Sequence, residues 1–302
     1  MATADYFPGF ENRKFEVDAD VTINAYIGGS GEEAVILLHG HPESAIMWRF
    51  IAPELSKKYT VIVPDLRGYG ESSKPYGQAD HSTYSKRVMA RDNAIIMEKL
   101  GIEKYHIAGH DRGARVCHRF LLDYPERIKS CTLLDIISTY DTYEKTDREF
   151  ATKYWHWFYY IQPDGLPEKT LTADPDFFIR FNLTRKIGPA GRKNFPEDVL
   201  KEYIKYYSDP ACVHAIAEDY RAAASIDLVH DKPDREKKFD TPLLVLWGAN
   251  GVVGSLYDVI ECWKPLANNV EGFAVKECGH FVPEEQPETV LKAMLEFIEK
   301  NK

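Results

Sequence analysis

A sharp turn from a strand into a helix, built around one carboxylate, constrains the fold of this chain more than any other feature. The apolar run 105–108 is followed directly by Gly-His-Asp-Arg-Gly at 109–113. Two glycines that flank a central residue let a strand and a helix approach closely, and they leave the central residue strained and accessible. That central residue is Asp111. A simpler alternative is that Asp111 only caps the N-terminus of the helix.

A carboxylate in this position favours substitution at carbon. An aspartate oxygen can attack a saturated carbon, displace a leaving group and form an alkyl ester that water then cleaves. Carbon–halogen bonds and epoxides suit this chemistry. Whether Asp111 acts in this way depends on a base and an acid partner elsewhere in the chain.

Composition and charge narrow the class of protein. The 302 residues carry a net charge of -9 with ordinary hydrophobic (44%) and charged (28%) fractions, enough for one large globular core. The acidic balance argues against nucleic acid or an anionic membrane surface as a partner. Five cysteines, an odd number without a C-x-x-C pair, and the absence of a recognisable leader in 1–10 predict a reduced, cytoplasmic protein.

Apolar segments alternate with helical patterns along most of the chain. Helical periodicity is expected at 84–100, from Asp111 to about 124, and at 284–300, and strands are expected at 15–17, 21–27, 34–38, 60–63, 105–108, 128–134, 242–247 and 270–275. Continuous apolar strands between helices predict an α/β fold with a mostly parallel, doubly wound sheet covered on both faces.

One long segment breaks this alternation. Residues 138–226 are helix-like, rich in Tyr and Trp, and interrupted by several prolines. We interpret this segment as an inserted helical cap over a core formed by 1–137 and 227–302. A cap over the carboxyl edge of the sheet would close a pocket where such folds bind ligands.

The turn after strand 34–38 reads His39-Gly40-His41-Pro42. It resembles the turn with which α/β-hydrolases present a backbone N–H to the nucleophile. The backbone N–H groups of His41 and Arg112 are therefore the candidate oxyanion donors. The alternative is an ordinary Gly-Pro turn.

A base and an acid follow two other strands. His280 comes after strand 270–275, where this superfamily places its general base, although a lone histidine is more often a packed or surface residue. No carboxylate follows strand 242–247 until Asp258, so Asp135 at the end of strand 128–134 is the better acid candidate. Asp135 could instead serve only as a cap of a helix or turn.

Arg112 and Arg115 lie three positions apart at the start of the predicted elbow helix, so they share a face beside Asp111. The helix macrodipole is already positive there, and two cations need an anion to offset them. A guanidinium fork matches a carboxylate, which indicates a short carboxylic acid as the substrate. The alternative is that both arginines form surface salt bridges.

The motif D-R-G-x-R at 111–115, Leu134-Asp135-Ile136, and Trp155-His156-Trp157 together resemble the fluoroacetate dehalogenases, which have the α/β-hydrolase fold. The likeness extends over nearly the whole chain. One departure is His41, where the family pattern H-G-F-P has an aromatic residue, and this makes the pocket wall more polar.

The resemblance implies a role for each matching residue. Asp111 would be the nucleophile, His280 the base and Asp135 its orienting acid, with Arg112 and Arg115 as the carboxylate clamp. His156, Trp157 and Tyr220 would hold the departing halide, although taken alone they would more often be packed aromatic residues of the cap. The resemblance implies no metal or organic cofactor, a small haloacid and water as reactants, and a homodimer.

Two rival functions use the same features. An epoxide hydrolase would employ the same Asp and His with cap tyrosines as acids, but the arginine pair argues against a neutral substrate. A small-molecule receptor that retained the fold would be expected to lack part of the Asp–His–Asp set, which is complete here.

Overall fold

The computed structural model describes residues 6–302. Residues 1–5, which belong to the predicted core segment 1–137 and to the stretch 1–10 considered for a leader, lie outside the described residues. No helix in the described part is long and apolar enough to cross a membrane.

Eight strands form one sheet at the centre of the fold. They are β1 Glu11–Asp18, β2 Val21–Gly28, β3 Ala34–Leu38, β4 Thr60–Pro64, β5 Tyr105–His110, β6 Ile128–Leu134, β7 Leu243–Gly248 and β8 Val270–Val275. Their order across the sheet is β1-β2-β4-β3-β5-β6-β7-β8. β2 pairs antiparallel with β1 and β4, and the other pairings are parallel. The predicted mostly parallel α/β sheet is confirmed.

The central strands have continuous apolar sequences because helices cover both of their faces. Every residue of β3 and β5 is buried. The edge strand β8 differs, since Phe273 on it remains 43% exposed. The prediction that both faces are covered therefore holds for the centre of the sheet and not for this edge.

Helices follow the strands and pack around the sheet. They are α1 Ala52–Leu55, α2 Lys86–Lys99, α3 Asp111–Asp123, α4 Thr139–Glu144, α5 Arg148–Lys153, α6 Trp155–Tyr160, α7 Leu166–Leu171, α8 Pro175–Lys186, α9 Glu197–Tyr207, α10 Pro210–Ala223, α11 Ile226–Asp231, α12 Val252–Leu256, α13 Val259–Trp263, α14 Val282–Glu285 and α15 Pro287–Lys300. α4 to α11 lie between β6 and β7, in the part of the chain where the cap is predicted. The boundaries at 138 and 226 stay a prediction.

The expected single helix at 284–300 is wrong. The chain forms two helices there, α14 and α15, which are separated by Gln286. Gln286 has φ -133° and ψ 57°, outside the helical region. A proline disfavours helical conformation in the residue before it, and Pro287 follows directly.

Candidate active site

The strand-to-helix turn between β5 and α3 holds Asp111 in an unusual backbone conformation. Asp111 has φ +45°, a region that residues other than glycine rarely adopt. A Cβ atom on Gly113 would lie 2.4 Å from the His39 carbonyl oxygen, and one on Gly109 would lie 2.6 Å from Cys117 Sγ. Both positions therefore require glycine, and the close packing of β5 against α3 fixes where the Asp111 carboxylate lies.

His280 lies between two carboxylates at the carboxyl edge of the sheet. Its Nδ1 donates a hydrogen bond to Asp135 Oδ2 at 2.6 Å, and its Nε2 is 3.7 Å from Asp111 Oδ2. The Gly248 N–H at the end of β7 donates to Asp135 Oδ1 at 3.0 Å. Asp258 is exposed and caps α13. The structure thus brings Asp111, His280 and Asp135 together and leaves Asp258 outside.

Basic side chains around Asp111 keep its carboxyl group ionised. Burial opposes ionisation, but His280, His110, Arg112 and Arg115 outweigh it and hold the pKa of the Asp111 carboxyl well below its usual range. An ionised carboxylate is the form that can attack carbon.

His110, the residue before Asp111, stabilises the negative charge of the Asp111 carboxylate. This residue was not identified from the sequence. Its Nδ1 donates to Glu43 Oε2 at 2.8 Å and its Nε2 donates to the His280 carbonyl at 2.8 Å. Burial disfavours the imidazolium, yet Glu43 and Asp111 together raise the pKa of His110 to about 9. His110 is therefore a buried cation that links the Asp111 turn to the His280 loop.

The backbone of His41 contacts the same carboxylate. Its N–H donates to Asp111 Oδ1 at 3.1 Å, as expected for one of the two oxyanion donors. Arg112, the other candidate, lies in the first turn of α3, where backbone N–H groups have no acceptor within the helix. The His41 N–H thus contacts the Asp111 carboxylate, and the part of the Arg112 N–H stays a prediction.

The His41 side chain is surrounded by three tyrosines from the helices between β6 and β7. The Tyr160 hydroxyl is 3.0 Å from Nε2, the Tyr207 hydroxyl also contacts Nε2, and the Tyr220 hydroxyl is 3.2 Å from Nδ1. Burial, together with Lys186, lowers the pKa of His41 to about 3, so the ring is neutral. If Nε2 accepts a hydrogen bond, Nδ1–H donates to the Tyr220 oxygen and leaves the Tyr220 hydroxyl free to donate elsewhere.

The two arginines are buried, which rules out the surface salt bridges considered above. Arg112 donates from Nε and Nη2 to the Asp219 carboxylate at 2.9 and 2.7 Å, and its Nη1 has no partner among residues 6–302. Arg115 donates from Nη1 to the Ile137 carbonyl at 3.1 Å and to Thr139 Oγ1 at 3.2 Å. No described carboxylate lies within salt-bridge distance of Arg115.

Asp219 is a site residue that sequence reasoning missed. Besides Arg112, it accepts hydrogen bonds from Lys86 Nζ and, at 2.7 Å, from the Tyr69 hydroxyl. No spacing in the sequence indicates this contact, because Asp219 is 107 positions from Arg112. The only signal is that Asp219 precedes Tyr220, one of the residues implied by the family resemblance.

Three side chains are expected to hold the halide, and they lie close together. They are His156, Trp157 and Tyr220. The ring centroid of Tyr220 is 6.2 Å from that of His156 and 6.1 Å from that of Trp157. His156 Nδ1 and Trp157 Nε1 are buried without a hydrogen-bond partner in the described part of the chain, while His156 Nε2 accepts from Lys186 Nζ at 3.2 Å. Buried N–H donors are nearly always paired in proteins, so these two are suited to an acceptor that is not part of the chain.

Comparison with known proteins shows the family to which the chain belongs. Residues 33–287 match the family model described as the alpha/beta hydrolase fold. Fluoroacetate dehalogenase from Burkholderia sp. is 44% identical, covering 97% of this chain and 95% of the relative. Soluble epoxide hydrolase from Corynebacterium sp. (strain C12) is 30% identical, covering 90% and 92%. The solved structure of ALR0039, an alpha/beta hydrolase from Nostoc sp. PCC 7120, superposes with a TM-score of 0.93 at 46% identity, covering 97% and 99%.

The fold, the strand-to-helix turn and the family model define a hydrolase of the α/β type. The chain belongs to the α/β-hydrolase superfamily, and within it the resemblance to the fluoroacetate dehalogenases is confirmed.

Proposed function

We propose that this protein is a haloacetate dehalogenase, which converts a short haloacid such as fluoroacetate into glycolate and halide. The observation that carries the proposal is Arg115, a 5% exposed guanidinium beside Asp111 that forms no salt bridge with a described residue. An unpaired buried cation is costly, and a substrate carboxylate would offset it. The similarity to the Burkholderia fluoroacetate dehalogenase supports the same substrate class.

The arginines would orient the substrate for the first step. Asp219 occupies the Nε and Nη2 side of Arg112, so the substrate carboxylate would receive Nη1 of Arg112 and free nitrogens of Arg115. Asp111 Oδ1 is held by the His41 N–H, and we therefore assign the attack to Oδ2. The new C–O bond forms as the carbon–halogen bond breaks with its electron pair, and fixed orientation supplies much of the acceleration.

The second step would hydrolyse the ester on Asp111. His280 Nε2 takes a proton from water, and the resulting hydroxide adds to the Asp111 carboxyl carbon. The backbone N–H groups of His41 and Arg112 stabilise the oxyanion, and Asp135 stabilises the imidazolium through its hydrogen bond to Nδ1. Collapse of the intermediate breaks the ester C–O bond, the glycolate oxygen takes the proton from His280, and the Asp111 carboxyl group loses its own proton to solvent, which restores the carboxylate.

The departing halide would be held by the cap. His156 Nδ1–H and Trp157 Nε1–H have no described partner, and the Tyr220 hydroxyl is free to donate if His41 Nδ1 carries the ring proton. Burial, with Lys186, keeps the pKa of His156 well below its usual value, so His156 would act as a neutral donor. These groups would gain strength as charge develops on the halogen.

Epoxide hydrolysis is the second candidate, supported by the Corynebacterium relative and by the tyrosines around His41. The test is to measure halide release from fluoroacetate, chloroacetate and a neutral haloalkane beside turnover of a neutral epoxide. We expect release from the two acids only. Turnover of the epoxide without release from either acid would contradict the proposal.

Arg115→Lys is expected to lower kcat/KM for chloroacetate by about 10- to 100-fold, although the charge is kept. A lysine does not reproduce the planar fork, and the loss corresponds to about one charge-assisted hydrogen bond. Steady-state kinetics would measure the effect. Arg180→Lys is the matched control, because Arg180 forms exposed ion pairs with Asp176 and Glu197 on the cap surface. Equal kinetics in both variants would remove Arg115 from the clamp.

Three further expectations belong to this proposal. The cap 138–226 would close the site over the sheet edge, the protein would act in the cytoplasm, and the subunits would form a homodimer. Limited proteolysis would test the cap, cell fractionation would test the cytoplasmic location, and sedimentation would test the homodimer.

A further inference from the structure

Lys186, the last residue of α8, lies between the protein surface and the candidate halide donors. It lines a surface cleft of about 420 Å³ together with Lys153, Arg185 and the loop that follows β7. Its Nζ is 3.2 Å from His156 Nε2 on the inner side. The half-buried side chain of Lys186 therefore connects the cleft to the halide site.

The cleft is positive in a protein whose net charge is -9. Lys153 pairs with Glu149 at 2.7 Å, but no described carboxylate lies within salt-bridge distance of Arg185 or Lys186. The Arg185 Nη2 donates to the Lys153 carbonyl at 3.1 Å. A cleft lined by cations with low-dielectric walls attracts anions, which are both the proposed substrate and the proposed product.

The backbone of Lys186 is fixed against the loop that carries the base. Its carbonyl accepts a hydrogen bond from the His280 N–H at 2.9 Å. A Cβ atom on Gly279 would lie 2.0 Å from the same carbonyl oxygen, so only glycine allows this approach. The backbone of Lys186 is therefore fixed against the loop that carries His280.

We propose that Lys186 is a positioning residue for the halide site, and this inference rests on the proposed function. Its ammonium group donates to His156 Nε2, which fixes the His156 proton on Nδ1, and its positive charge favours departure of the halide. The carbon–halogen bond breaks with its electron pair going to the halide, and Lys186 keeps its proton throughout. Sequence reasoning missed this residue, since a lysine at the end of a helix is ordinarily a favourable partner of the macrodipole.

The protonation state of the Lys186 side chain should change at mildly alkaline pH. Burial lowers the pKa of Lys186 to about 8, partly offset by Asp111. The ammonium is present below that pH and is lost above it, so kcat for fluoroacetate should fall as the pH rises through about 8. The groups that face Lys186 are Asp111, Glu43, Asp135, Arg185, His156, His41 and Tyr154.

The test compares Lys186→Met with Arg180→Met, which removes a cation of the same helix that forms exposed ion pairs with Asp176 and Glu197. For Lys186→Met we expect a loss in kcat of about 10- to 100-fold with fluoroacetate, the size of one hydrogen bond to a charged group. The loss with chloroacetate should be much smaller, because chloride is the better leaving group. The alkaline fall in kcat should disappear. Arg180→Met should keep kcat, its halide preference and the alkaline fall.

Lys186→Arg keeps the charge and guards against a folding defect in the methionine variant. Its guanidinium stays protonated, so the alkaline fall near pH 8 should be absent while defluorination continues. The inference is overturned if Lys186→Arg retains that fall, or if Lys186→Met loses activity equally with both haloacids. Halide release by the wild-type enzyme together with either result rejects the role of Lys186 alone. No release from any haloacid by the wild-type enzyme rejects the proposed function itself.

Discussion

His280→Ala is expected to stop the reaction after its first step and to leave an ester on Asp111. Oδ2 of Asp111 is 3.7 Å from His280 Nε2, and attack on carbon requires no proton transfer from that histidine. Hydrolysis of the ester does require a base. Steady-state turnover should fall by about 10⁴-fold or more, as when a histidine of this type is removed from other hydrolases.

The intact mass of the His280→Ala protein should rise by one carboxymethyl group after exposure to chloroacetate. Peptide mapping should place the added group on Asp111. His214→Ala is a suitable control, because His214 of α10 pairs with Glu168 of α7 and its loss should allow full turnover without a trapped ester. The double variant Asp111→Asn/His280→Ala should gain no mass. A modified residue other than Asp111, or continued turnover without modification, would contradict the mechanism.

Trp157→Phe is expected to depress defluorination of fluoroacetate far more than dechlorination of chloroacetate. Fluoride is the poorest leaving group and the most strongly hydrated halide, so its departure into a dry site depends most on N–H donors. The buried Trp157 Nε1 has no partner among residues 6–302. Its loss should lower kcat for fluoroacetate by about 10² to 10³, by analogy with deletion of an oxyanion donor, with little change in KM.

The structure makes Trp157 a cleaner test than Tyr220, whose hydroxyl also contacts His41. A phenylalanine keeps an aromatic face toward Arg115, whose Cζ lies 4.5 Å from the Trp157 ring centroid. Trp155→Phe is the matched control on the same helix, since Trp155 packs against Tyr159 and has no buried unpaired N–H. Equal losses for both halides, with the first step rate-limiting, would mean that Trp157 shapes the cap and does not solvate fluoride.

Prediction succeeded where the pattern is local. The apolar run at 34–38 matches β3, and the glycines at 109 and 113 mark a turn in which any Cβ would collide with the neighbouring backbone or side chain. The position of Asp135 at the end of a strand favours it over Asp258, and Asp135 is the carboxylate that contacts His280. The prediction of one helix at 284–300 is wrong because it followed the apolar periodicity alone. Pro287 disfavours helical conformation in the residue before it, Gln286, and the helix is interrupted there.

Prediction failed where no motif or strand end marks the residues that come into contact. Asp219, which holds Arg112, and Lys186, which contacts His156, lie on α10 and α8 and meet the site only when these helices pack over the sheet. Their sequence context is that of ordinary helix residues.

The sequence by itself determined the sheet, the turn that presents Asp111, and the places of His280 and Asp135 after two strands of that sheet. These features depend on backbone sterics and hydrophobic periodicity over a few residues, and parallel strands bring their carboxyl ends to one edge. Only the tertiary structure decided which arginine is paired, which N–H donors remain free and where Lys186 lies. Those outcomes depend on the packing of the helices between β6 and β7 against the sheet, where burial and charge act between residues that no local pattern connects.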